Sequence, residues 1–88
     1  MNVQFRRSFV KDLERLRDKA LKERVKEAIE QVEAAQSIRD IGNLKKLQGG
    51  DRFYRIRIGT YRVGLTVVGG TVTFVRFLHR RELYRYFP

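Results

Sequence analysis

The chain has no cysteine. That absence excludes a disulfide framework, thiol chemistry and thiolate zinc ligation, and it fits a reducing cytoplasm. The single histidine, His79, cannot supply a paired-histidine metal motif. No apolar run approaches the roughly 20 residues that cross a bilayer. Arg6 and Arg7 are not followed by the apolar stretch of a signal peptide. A phosphate-binding glycine-rich loop with its Lys-Ser/Thr is missing, as is a dinucleotide fingerprint. Carboxylates are scarce in one half: beyond residue 44 only Asp51 and Glu82 are acidic. That leaves too few for a two-metal nuclease site. No metal or cofactor is expected.

Positive charge is abundant. Twenty Lys/Arg against ten Asp/Glu give a net charge of +10. Residues 1–44 carry ten cations and eight acids, a net of +2, while residues 45–88 carry ten cations and two acids, a net of +8. Eight of the ten cations in the second half are arginine, which favours planar, two-pronged contacts with phosphate over diffuse attraction. The first half reads as a charge-balanced scaffold and the second as the footprint of an anionic partner. The length fits one small domain over residues 1–88.

The apolar residues are periodic. Val3-Gln4-Phe5 alternates and predicts a first strand, with Ser8 as N-cap of the helix that follows. Phe9, Leu13, Leu16 and Ala20 share one helical stripe; Leu21, Val25, Ala28, Ile29 and Val32 share another, rotated by about 130°. One straight helix cannot change phase so abruptly, so the pattern predicts a helical hairpin broken near Asp18–Ala20. Residues 36–51 read as a connector with Lys45 and Lys46 outward. Three strands are predicted at 52–58, 61–68 and 71–78, joined by Gly59-Thr60 and Gly69-Gly70 turns. Residues 83–88 read as either a strand or an irregular tail. The predicted class is α+β: β-α-α-β-β-β, a small antiparallel sheet with the hairpin on one face. The other face can stay wet. Arg55, Arg57 and Arg62 are candidates for it, because alternate residues of a strand share a face.

Such a face points to nucleic acid. RNA carries its own nucleophile, the 2′-hydroxyl. Aligning it with the adjacent phosphate and neutralising the developing charge can cleave the chain without metal or covalent intermediate. The parts required are several cations, a stacking ring and a proton carrier. Arg55, Arg57, Arg62, Arg80, Tyr84 and His79 offer them.

The run Leu44-Lys45-Lys46-Leu47-Gln48-Gly49-Gly50, then Tyr54-Arg55-Ile56-Arg57-Ile58-Gly59, Tyr61-Arg62-Val63 and His79-Arg80-Arg81-Glu82-Leu83-Tyr84 resembles the RelE/ParE superfamily of bacterial and archaeal toxins. The resemblance covers essentially the whole chain. It implies the toxin of a type II toxin–antitoxin pair, with a cognate antitoxin as partner and a cytoplasmic site of action. RelE-like members are mRNA interferases that cut messages in the ribosomal A site, whereas ParE-like members inhibit gyrase. Carried over by position, Arg62 matches the strand arginine at the scissile phosphate. Arg80 matches the arginine that stabilises the transition state or protonates the leaving group. Tyr84 matches the tyrosine that stacks on or orients a base. Lys45, Lys46, Arg55, Arg57 and Arg81 complete an RNA-binding set. Arg55 and Arg57 stand where some RelE members have lysines, one a proposed general base; a guanidinium cannot be that base. His79 is then the candidate proton carrier, with Glu82 second.

Each assignment has a plainer rival. Arg55 and Arg57 could be a solvated strand face. Arg62 could pair with Asp51 or a helix acid. His79 could cap or simply decorate the surface, and Tyr84 could merely cover the sheet end. A ParE-like gyrase inhibitor and a non-cleaving RNA-binding module stand as alternative functions.

Overall fold

The structure, a computed structural model, describes residues 1–88. Strand β1 spans Asn2–Phe5, helix α1 Arg7–Glu14, helix α2 Lys19–Ala34, strand β2 Leu44–Lys46, β3 Phe53–Ile58, β4 Tyr61–Val68, β5 Thr71–His79 and helix α3 Arg80–Tyr86. The five strands form one sheet in the order β1-β5-β4-β3-β2. No helix is long and apolar enough to cross a membrane.

The β3–β4–β5 meander follows the alternation in the sequence. Gly59 and Gly69 both have φ +60°, the left-handed backbone that tight hairpin turns demand. The sheet is not wholly antiparallel: β1 pairs parallel with β5, from Asn2 with Thr71 to Phe5 with Phe74. Such a pair joins distant parts of the chain and leaves no local signal. The residues read as a connector contain β2, which pairs Lys45 with Arg55 and Lys46 with Tyr54. The chain then ends in a helix, not a strand or tail.

One face of the sheet carries the main core. Phe9, Leu21, Val25 and Val32 of the two helices meet Ile56, Ile58, Val63, Leu65, Val72, Phe74 and Phe77 of the strands. The chain does form two helices, but the first predicted stripe is divided: Phe9 and Leu13 lie on α1, Leu16 in the connection, and Ala20, exposed, already on α2. Asp18 starts the second one, its Oδ1 accepting from the Leu21 N–H at 3.0 Å. Ser8 does not cap α1. That position falls to Arg6, and the Ser8 hydroxyl donates to the Val75 carbonyl instead.

Along β5 the alternation slips once. Gly64 pairs with Arg76 and Leu65 with Phe74, so Val75 is an extra residue. The bulge lets Phe74 and Phe77 both face the core although they are three apart. β1 covers only the first half of β5's outer edge. Beyond it, α1 side chains take over: Ser8 bonds the Val75 carbonyl, and Asp12 accepts the Phe77 N–H at 2.9 Å. The exposed edge is sealed without another strand.

Candidate RNA-facing site

Helix α3 packs on the face opposite α1 and α2. Gly64 pairs with Arg55 and Arg76, between core-facing Val63 and Leu65, so it opens onto that second face. Leu83 and Phe87 are buried yet lie outside the main core. They fill the notch that Gly64 leaves: a Cβ there would sit 2.7 Å from Phe87 and 3.1 Å from Leu83. Glycine inside a strand often marks such a close approach. The seated helix turns Arg80 and Tyr84, four residues apart, to one side.

The strand side of the site is arginine. Arg55 Nη1 donates to the Asn43 carbonyl at 2.9 Å, and Arg57 Nη2 reaches Asn43 Oδ1 at 3.5 Å. Arg62 Nη1 donates to the carbonyls of Gly59 and Tyr61, each at 2.9 Å. A guanidinium has five N–H donors, so these bonds fix its direction and leave donors free. None of the three meets a carboxylate. The ion pairs of the molecule are Lys46–Asp51 at 3.6 Å, on the surface, and Arg76–Asp12 at 2.8 Å. Arg62 therefore has no acid partner.

The electrostatics are those of unrelieved positive charge. Arg62 holds its proton less tightly than an ordinary guanidinium. Partial withdrawal from water contributes most, then the charge of Arg55. Tyr84 opposes the effect, while Arg57 and Arg80 add to it. A guanidinium remains charged at physiological pH all the same. Arg55, Arg57, Arg80 and Tyr84 thus gather around Arg62, with Arg57 its direct cross-strand partner. Tyr84 is 57% exposed, open to stacking. Lys45 is the cross-strand partner of Arg55 and shares its face.

The other candidates lie elsewhere. Lys46 pairs with Tyr54, on the helix side of the sheet, and bridges to Asp51. Within a strand, two adjacent lysines cannot both join the arginine face. Arg81 is exposed, and its backbone N–H donates to His79 Nδ1 at 3.2 Å. His79 is the N-cap of α3. It pairs across the strands with Tyr61, their rings 5.7 Å apart edge to face. His79 and Glu82 line a shallow hollow with Asp12, Arg15 and Tyr61, on the side away from Arg62. Paired with Tyr61, His79 faces the side of the sheet opposite Arg62, while Glu82, carried by α3, turns toward the same hollow.

Sequence reasoning missed four residues that shape this arrangement. Asn43, at φ +60°, orients two arginines. Gly64 admits α3. Asp12, buried, and Arg76, partly buried, form the ion pair between α1 and β5. Two of these left a signal: Gly64 interrupts a strand, and Asp12 sits three residues after Phe9 on the buried helical stripe.

This geometry places the chain in a recognisable class. A family model described as the ParE toxin of the type II toxin–antitoxin system parDE matches residues 3–84. The chain belongs to this family of toxins, within the RelE/ParE superfamily. It is 42% identical over 89 residues to toxin RelE3 of Methanocaldococcus jannaschii, with both chains fully covered. The RelB–RelE antitoxin–toxin complex from Methanococcus jannaschii contains a chain of similar fold, with TM-score 0.81, 39% identity and coverage of 97% of this chain and 99% of that one. The archaeal RelE–RelB complex from Pyrococcus horikoshii OT3 gives TM-score 0.74, 27% identity and coverage of 93% and 97%.

Proposed function

We propose that the chain is a ribosome-dependent endoribonuclease that cleaves mRNA. The observation that carries this reading is the acid-free cluster of Arg55, Arg57, Arg62 and Arg80 beside an exposed Tyr84. Four preset cations around a half-open surface suit a phosphodiester whose charge grows during reaction. In this reading Arg55, Arg57 and Lys45 hold the RNA backbone, and Arg62 and Arg80 brace the scissile phosphate. Tyr84 stacks on a base. The 2′-hydroxyl oxygen attacks the adjacent phosphorus and the bond to the 5′-oxygen breaks. The products are a 2′,3′-cyclic phosphate, or its opened form, and a 5′-hydroxyl end. Within the cluster only Tyr84 can exchange a proton. His79 acts through α3: its Nδ1 caps the helix that carries Arg80 and Tyr84.

The partner in the resting state is an acidic or amphipathic antitoxin covering the basic face, and the site of action is the cytoplasm, where messages are translated. Similarity to toxin chains solved with RelB supports the first point.

The deciding experiment is primer extension on a message incubated with the purified chain, with and without translating ribosomes. Cuts that require ribosomes and vanish in Arg62→Ala support the reading; no cut under either condition removes it. Binding to RNA should also weaken steeply with salt, because each neutralised phosphate releases counterions.

A second reading is a non-enzymatic toxin that inhibits gyrase, favoured by the ParE description of the matching family model. A supercoiling assay on the same preparation separates the two.

A further inference from the structure

The Asp12–Arg76 pair lies outside the arginine cluster, yet it reaches toward the helix that completes it. Asp12 Oδ2 accepts from Arg76 Nε at 2.8 Å and from the Phe77 N–H at 2.9 Å, and Oδ1 accepts from Arg76 Nη2 at 3.1 Å. The Asp12 side chain is only 4% exposed, so the guanidinium is held on a rigid support. The Arg76 guanidinium also lies 5.3 Å from the centroid of the Tyr86 ring, within cation–π range. Tyr86 is the last residue of α3.

A helix of seven residues does not hold itself in place. The Leu83–Phe87 seam in the Gly64 notch sets how close α3 comes to the sheet. It does not by itself prevent the helix from rolling about its axis. At roughly 100° per residue, Arg80 and Tyr84 lie on one flank of that seam and Tyr86 on the other. A roll that carried Tyr86 off Arg76 would swing Arg80 and Tyr84 relative to Arg62.

We propose that Asp12 and Arg76 are positioning residues that fix the roll of α3 through Tyr86, and so aim Arg80 and Tyr84 at the strand arginines. The catalytic consequence rests on the mRNA-cleavage reading above; the effect on α3 itself does not.

The test uses the full chain and two readouts. The first is amide hydrogen exchange at residues 84–87. Tyr86→Leu and Asp12→Asn should each speed it by about tenfold, the change that corresponds to about 1.4 kcal/mol. In Tyr86→Leu, amides of β4 should keep their rates within about twofold, a difference of about 0.4 kcal/mol; Asp12→Asn also loosens α1 from β5, so its residues 84–87 are read against its own β4 rates. Tyr86→Phe keeps a ring over the guanidinium and should stay near the parental rate. The double variant Asp12→Asn with Tyr86→Leu should exchange little faster than either single one, since both cut the same chain of contacts. The second readout is cleavage on ribosomes: kcat should fall in Tyr86→Leu, with KM unchanged, and recover in Tyr86→Phe. Unchanged exchange in Tyr86→Leu overturns the proposal, and so do fully additive effects in the double variant. Tyr86 is 54% exposed, so its replacement leaves the core intact. If Asp12→Asn fails to fold, Arg76→Lys takes its place in the double variant. If the parental chain does not cleave, the cleavage reading fails while the exchange data still decide the role of Asp12 and Arg76.

Discussion

Arg62 of β4 and Arg76 of β5 sit on neighbouring strands in opposite circumstances. Arg76 meets a nearly buried carboxylate in two-pronged geometry and carries a tyrosine ring on its other side. Arg62 meets only backbone carbonyls and is surrounded by Arg55, Arg57 and Arg80. One arginine is electrostatically finished by the fold; the other is left unfinished by it. Since the side chain is the same, the difference lies in where the acids are. The seam that holds α1 to β5 has one, and the α3 face has none near Arg62. Charge left uncompensated after folding is what marks a surface for an external anion.

The comparison breaks most visibly at Asp12. Asp12→Ala strands Arg76 and the Phe77 N–H together, and because the Arg76 side chain is 23% exposed the loss should lie near the lower end of the buried-pair range, about 3 kcal/mol. A drop of that size should appear in urea denaturation, with activity per folded molecule reporting separately on α3. Arg62→Ala should do the reverse. Removing one preorganised charge contact costs about 3–4 kcal/mol of transition-state stabilisation, or 10²- to 10³-fold in rate. Its thermal midpoint should hold or rise, because a repelling charge has gone. Arg62→Lys should recover only part of the rate, lacking the fork. If Arg62→Ala unfolds the protein while Asp12→Ala leaves it stable, the two arginines have been assigned the wrong way round.

Smaller effects sharpen the contrast. Gly64→Ala forces a methyl into the Leu83–Phe87 seam and should cost about 1–3 kcal/mol by overpacking. Because the clash falls on α3, cleavage should suffer more than the melting of the sheet. Least of all is His79. His79→Ala removes an N-cap, worth about 0.5–2 kcal/mol, and should slow cleavage modestly. Asparagine caps well but has no imidazole, so His79→Asn should stay near the parental rate in single-turnover cleavage. An Asn variant as slow as the Ala variant would return His79 to proton transfer.

Much of this was legible in the sequence, for local reasons. Alternation and glycine turns wrote out β3, β4 and β5, and the phase jump between Phe9–Ala20 and Leu21–Val32 announced two helices. The motif spacing gathered Arg55, Arg57, Arg62, Arg80 and Tyr84. What stayed hidden depends on distant partners. β1 finds β5 across most of the chain, and β2 has only three residues at an edge. Helix α3 opens on a histidine cap, outside the usual Ser, Thr, Asp and Asn set. The separation of His79 from Arg62 follows from alternation, since Tyr61 and Arg62 are adjacent on β4 and face opposite ways. The pairing of Tyr61 with His79 was the missing fact.

The parallel pairing of β1 with β5 also bears on the order of assembly. The meander from Phe53 to His79 closes through two tight turns, whereas Asn2 must find Thr71 across the chain. Loop closure of that length costs entropy before any contact repays it. The topology therefore predicts that the sheet condenses from β3–β4–β5 outward and that β1 docks late, bringing α1 with it. In a folding-rate series, substitutions at Val63 or Ile56 should slow folding, while those at Val3 or Asp12 should chiefly speed unfolding. The arginine-bearing strands would then be in register before the edge of β5 is sealed.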